Sequence, residues 1–130
     1  MTPEQRRTFA ALADVLVPAA HGMPAASDMG LADAPLDRVL RARADLAGPL
    51  RALLDEVAGQ DPERVVVGAD PARLELLLLV AGGAYTTEPR VKALLGYPGQ
   101  QARTLPRAGF GAEDLAMAMM DQPPRWRAAP

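Results

Sequence analysis

Asp70-Pro71-Ala72-Arg73-Leu74-Glu75-Leu76-Leu77-Leu78-Leu79-Val80-Ala81-Gly82-Gly83-Ala84 is the stretch on which the fold turns. An aspartate followed by proline is a helix start: the carboxylate caps, and proline at the first helical position loses only an N–H that has no partner there. Beyond it, Leu74 and Leu76 to Val80 put apolar side chains on nearly every side of a 3.6-residue period. Such a helix is expected at the centre, covered all round by other elements. Gly82-Gly83 is expected to end or loosen it.

The same signatures recur outward from this helix. Thr2-Pro3-Glu4-Gln5 reads as N-cap, first-turn proline and capping box, with Phe9, Leu12, Ala13 and Leu16 on one buried face and Pro18 as terminator. Asp33 is expected to cap a second helix to about Arg43, with Leu36, Val39 and Leu40 inward. Asp45 is expected to cap a third, striped by Leu46, Leu50, Leu53, Leu54 and Val57 and closed by Gly59. Asp61-Pro62-Glu63 starts a short turn, after which Val65–Val67 reads as either helical or extended. A further helix from about Glu88 to Leu95 is stopped by Gly96, and Glu113 to Met120 carries a last short pattern. The fold class is all-α: a single small domain of about five helices over residues 1–96, then a long Pro/Gly-rich arm over 97–130 with one short helix.

Composition supports helices and limits the core. Of 130 residues 26 are alanine, 18 leucine and none isoleucine, so β-formers are scarce. A fully buried Leu or Phe contributes about 1.5–3 kcal/mol and alanine far less, so a thin core and a partner surface are expected. A net charge of −2 gives no generic reason to bind nucleic acid. The absence of cysteine excludes disulfides, thiolate nucleophiles and iron–sulfur ligation. The longest apolar run, Leu76 to Ala84, is half of what a membrane span of about 20 residues needs. No secretory leader precedes Thr2, so a cytoplasmic location is expected, or a periplasmic one if a leader was removed or a partner carries one.

No chemistry-bearing constellation emerges, and no catalytic, cofactor-binding or metal-ligating residue is expected in this chain. His21 is the single histidine, with no Ser, Cys or acid arranged around it as a triad would require, and it reads as a surface or interface residue. Asp55/Glu56 and Glu113/Asp114 read as solvated or capping charge, and Gly96-Tyr97-Pro98-Gly99 as a turn rather than a phosphate loop. Met117, Met119 and Met120 on one helix, and Met23 and Met29 upstream, suit a core or an adaptable interface equally. The segment Pro18–Ala32 lacks periodicity, and loops of about 15 residues in compact domains usually have a task. Trp126, between Arg125 and Arg127, suits either an anchor in a partner's pocket or a side chain folded back on its own domain. The residues expected to bind a partner are Pro18, His21, Met23, Pro24, Met29, Tyr97, Pro98, Gln100, Arg125, Trp126 and Arg127.

Two blocks also carry a resemblance. Ala13, Asp14, Leu16, Val17 and Pro18 fit an "AD-x-L-[IV]-P" run, followed by Pro24, Ala26 and Gly30 in a "P-x-A-x-x-x-G" loop. The stretch from Pro89 to Gln100, PRVKALLGYPGQ, is similar to a second recurrent block. In order and separation they resemble the gluconate 2-dehydrogenase subunit 3 family. That resemblance implies a small helical accessory subunit supporting the folding, stability or export of a large glucose–methanol–choline-type flavoprotein. The large partner would hold FAD, the catalytic histidine and the sugar or alcohol pocket, and some such complexes include a cytochrome subunit. Members of the family often carry a twin-arginine leader, which this sequence does not show. The alternative is a self-sufficient helical ligand-binding or regulatory module with its pocket beside the leucine-rich helix; a small enzyme using His21 ranks third.

Overall fold

The computed structural model describes residues 1–100 and 112–120. The chain divides into a unit spanning Met1–Gly99 and a second spanning Gln100–Pro130. Among the described residues there are seven α-helices and, in place of strands, one isolated bridge between Ala20 and Met23. The chain is all-α. In the first unit the helices are α1 (Pro3–Leu16), α2 (Ala34–Ala42), α3 (Ala47–Glu56), α4 (Pro62–Val67), α5 (Pro71–Thr86) and α6 (Pro89–Leu94). The described helix of the second unit is α7 (Ala112–Met120), where Met117, Met119 and Met120 are exposed.

Side-chain caps account for three of the six helix starts in the first unit, those of α1, α4 and α5. Thr2 Oγ1 accepts from the Gln5 N–H at 3.1 Å while Gln5 Oε1 accepts from the Thr2 N–H at 2.9 Å, which is the reciprocal capping box. Asp61 and Asp70 each accept first-turn N–H groups ahead of a proline. Asp61-Pro62 therefore starts a helix, and Val65–Val67 is helical rather than extended. Asp33 and Asp45 depart from expectation. Asp33 stands at the N-cap of α2 without a side-chain bond, and Asp45 lies in a 3-10 turn, Ala44–Leu46, that precedes α3. The Asp45 carboxylate instead accepts from Arg43 at 2.9 and 2.8 Å, because a guanidinium two residues away competes better than its own backbone.

The leucine-rich α5 packs chiefly against α2, with α1, α3 and α6 at its sides, and α4 lies on α1. Its buried face is Leu77, Val80, Ala81, Ala84 and Tyr85, a single helical stripe. The expected all-round cover is absent, since Leu78 and Leu79 on the far side are 50% and 47% exposed. Gly82-Gly83 does not end the helix either. It continues for another turn to Thr86, where Thr86 Oγ1 donates to the Gly82 carbonyl and Thr87 Oγ1 to the Gly83 carbonyl, both at 2.8 Å. Those hydroxyls satisfy two of the carbonyls a helix end leaves open. The core is leucine-based: Phe9, Leu12, Leu31, Leu36, Leu50, Leu54, Leu77, Val80 and Val91 are fully buried, and of the described alanines only Ala13, Ala26, Ala81 and Ala84 are buried with them.

Polar ties join the helices at their ends. Gln5, itself buried, spends its amide Nε2 on Asp55 Oδ1 at 2.8 Å, linking α1 to α3. Arg6 grips both Asp37 oxygens, at 2.7 and 3.0 Å, linking α1 to α2. Both of those bonds come from Nη2, while Nη1 donates to the Ala32 carbonyl, so one guanidinium ties α1 to α2 and to the segment just before it.

Candidate functional site

The segment from Pro18 to Ala32 has few repeating hydrogen bonds, yet it is fastened at several points. At its tip His21 and Gly22 both have positive φ, 51° and 81°, and the Met23 N–H donates to the Ala20 carbonyl at 2.8 Å. That pattern is the two-residue turn of type I′, which suits glycine and tolerates histidine at the left-handed position. Lower down, the Ala26 N–H donates to the Val17 carbonyl at 3.1 Å, closing the loop back on the end of α1. Asp14 Oδ1 accepts from the Ser27 N–H at 2.7 Å, and Asp28 Oδ2 accepts from the Ala25 N–H at 3.0 Å. The last fastening comes from α5: the buried Tyr85 hydroxyl donates to the Pro24 carbonyl at 2.7 Å.

These bonds give physical roles to the residues of the first sequence block. Asp14 holds Ser27. Ala26 is only 1% exposed, so its small side chain fits where a larger one would displace the core. Gly30, at φ 58°, ends the 3-10 turn Ser27–Met29 in the left-handed conformation. The second block is ordered by its own cap. Gly96, at φ 64°, donates to the Ala93 carbonyl at 3.1 Å and the Tyr97 N–H donates to the Lys92 carbonyl at 2.8 Å, the paired bonds of a Schellman motif.

The two blocks meet. A solvent-open cleft of about 480 Å³ lies between the loop and α6, lined by His21, Met23, Pro24, Asp28, Arg90 and Leu94 together with the backbone of the tip. Of the residues expected to bind a partner, His21, Met23 and Pro24 thus share one concave surface. Pro18 is exposed. Met23 and Met29 are half-buried and pack against the core, so each serves in part as core filling, while Pro24 is buried and forms the cleft wall. Tyr97, Pro98 and Gln100 are exposed. Arg125, Trp126 and Arg127 lie outside the described residues.

Sequence reasoning missed four contributors: Tyr85, Asp28, Arg90 and Leu94. Arg90 and Leu94 stood in the second block, but no periodicity announces that α6 will lie against a loop some 60 residues earlier. Leu94, Leu95 and Tyr97 are all more than half exposed, a concentration of apolar surface at the end of one short helix.

Another hollow, of about 360 Å³, lined by Pro49, Ala52, Leu53, Glu56, Ala72, Arg73 and Leu76, lies between α3 and α5. Here Arg73 donates to Glu56 Oε1 at 2.8 Å, and that hydrogen bond, with the attraction of the carboxylate, holds the guanidinium pKa above its ordinary value. Among the described residues no group of three or more His, Cys, Asp or Glu side chains is placed to hold a metal ion. Among them, too, no helix is long and apolar enough to cross a membrane. No family model, curated protein or solved structure matches the chain.

Proposed function

We propose that this chain is a non-catalytic small subunit that binds and stabilises a large FAD-dependent sugar or alcohol dehydrogenase. The observation that carries the reading is the convergence of the two sequence blocks. Residues 13–30 and 89–100 are far apart in the chain, yet they build opposite walls of one pre-formed cleft. The exposed Leu94, Leu95 and Tyr97 supply apolar surface of the kind partner proteins cover. The rigid fastening of the loop favours docking, because binding then costs little further ordering. In the complex the partner supplies flavin and chemistry, and this chain supplies a folded surface that raises the partner's apparent stability by mass action.

The test is recovery of the tagged full-length chain from its own organism under gentle conditions. A large yellow partner with flavin's visible absorbance is expected, and replacing Leu94 and Leu95 by Asp is expected to release it. Recovery of the chain without any flavoprotein overturns the reading. The 360 Å³ hollow beside α5 is where the alternative, a ligand-binding module, would hold its ligand. Native mass spectrometry showing a small molecule retained by the chain alone would favour that reading instead.

A further inference from the structure

We propose that the cleft between the 18–30 loop and α6 receives a partner segment carrying an acidic side chain beside an aliphatic one. Arg90 pairs with the carboxylate, and Met23, Pro24 and Leu94 receive the aliphatic group. The proposal rests on the reading of this face as a docking surface and adds the chemistry of what docks.

The charge inventory of the cleft decides the acid. Two side chains of fixed formal charge line it, Asp28 and Arg90. Asp28 keeps its charge, but its Oδ2 accepts the Ala25 N–H and so helps to shape the loop, and it forms no ion pair with Arg90. Arg90, like Arg7, Arg41 and Arg51, makes no ion pair among the described residues, and of these four it is the one that lines this cleft. A partner that covers the cleft strips water from a guanidinium that cannot lose its proton. Such a cover is tolerable only if it brings a counter-charge, and a carboxylate matches the planar fork best.

The walls decide the second group. Met23 and Pro24 on one side and Leu94 on the other are apolar. A methionine wall adapts to the shape of an aliphatic side chain. The openness of the cleft argues for a chain segment over a small molecule. A compact ligand would leave one side in water, whereas an extended segment continues onto the exposed Leu95 and Tyr97. The backbone N–H groups of His21 and Gly22 donate no hydrogen bond among the described residues and are available to a segment's carbonyls.

The experiment is an amide-shift titration of the isotope-labelled full chain with a blocked tetrapeptide, acetyl-Ala-Glu-Leu-Ala-amide. Its Gln analogue and hexanoate serve as comparison probes. Shifts confined to residues 20–28 and 90–97 are expected with the Glu peptide. Binding is expected to weaken by about three- to fivefold with the Gln analogue, the loss of one partly exposed ion pair. Arg90→Gln is expected to abolish the difference between the two peptides and Arg90→Glu to reverse it, with circular dichroism unchanged. Absence of shifts at millimolar peptide, equal binding of both peptides by the wild-type chain, or hexanoate binding as tightly as the Glu peptide would each overturn the proposal. The flavoprotein recovery experiment separates the two readings. Peptide binding without a flavoprotein partner refutes the subunit assignment alone, and flavoprotein capture without peptide binding refutes the cleft chemistry alone.

Discussion

Replacing Tyr85 by Phe removes one oxygen atom and tests whether the cleft is held from inside the fold. The hydroxyl is buried and lies 2.7 Å from the Pro24 carbonyl, to which no backbone N–H donates among the described residues. The ring remains, so no cavity opens; what is lost is a hydrogen bond, and what is left is a buried carbonyl without that donor. Leaving such a group unsatisfied costs about 1–3 kcal/mol. Taking about 1.5 kcal/mol, and about 4–8 °C per kcal/mol for a domain of this size, Tm should fall by roughly 6–12 °C. Thr86→Ala is the control, because its hydroxyl bond to Gly82 is exposed and its loss should stay within about 0.5 kcal/mol. Urea titration gives the free energies, and amide exchange at Met23 and Ala26 gives the location. Both amides should exchange faster in the variant than global unfolding accounts for. A Tyr85→Phe protein within about 0.3 kcal/mol of wild type, with those amides unchanged, would refute the claim that α5 holds the loop.

Other expectations are simpler to check. A Cβ at Gly82 meets nothing within 4 Å, so Gly82→Ala should raise stability by about 0.5–1 kcal/mol in a urea melt through helix propensity and a less flexible unfolded chain. Leu77→Ala should cost about 3 kcal/mol or more, whereas Leu78→Ala, one residue on but half exposed, should cost less than about 1 kcal/mol. If the two cost the same, the faces of α5 have been misassigned. The Asp45 carboxyl is held below its ordinary pKa, chiefly by the hydrogen bond from Arg43. A depressed carboxylate adds stability above its unfolded-state value and loses it as pH falls through the folded one. Any deficit of Arg43→Ala at neutral pH should therefore begin to shrink as pH falls below about 4 and vanish only below the lowered folded-state value, and it should shrink in high salt because both groups are exposed.

What could be read from sequence was what neighbouring residues decide. Thr2-Pro3 with Gln5, Asp61-Pro62 and Asp70-Pro71 start helices because the cap, the proline and the orphan N–H groups lie within four residues of one another. Asp45 misled because the local rule counts the backbone as its only suitor and ignores Arg43. The leucines of α5 misled in another way. Hydropathy records how much apolar surface a helix has, and is silent on how many neighbours exist to cover it, so Leu78 and Leu79 were expected to be buried. Gly82-Gly83 looked like a terminator because glycine weakens helices, but packing of Ala84 and Tyr85 against the core outweighs a cost of about 1 kcal/mol per glycine. The task of the 18–30 loop was visible as missing periodicity. Its shape was not, since the bonds that set it reach across to Asp14 and Tyr85.

The bond between Tyr85 and Pro24 spans 61 positions of the chain, and this separation sets an order of events at birth. At synthesis rates of about 5–20 residues per second, Pro24 leaves the ribosome roughly 3–12 seconds before Tyr85 can reach it. During that interval α1 can form, since its capping box is complete by Gln5 and its length needs nothing later. The cleft cannot, because its far wall, Arg90 and Leu94, has not been made. A partner that reads the cleft therefore engages only chains that have been translated past α6 and have brought it back against the loop. The surface keeps time: it becomes available when the first unit is finished, and not before.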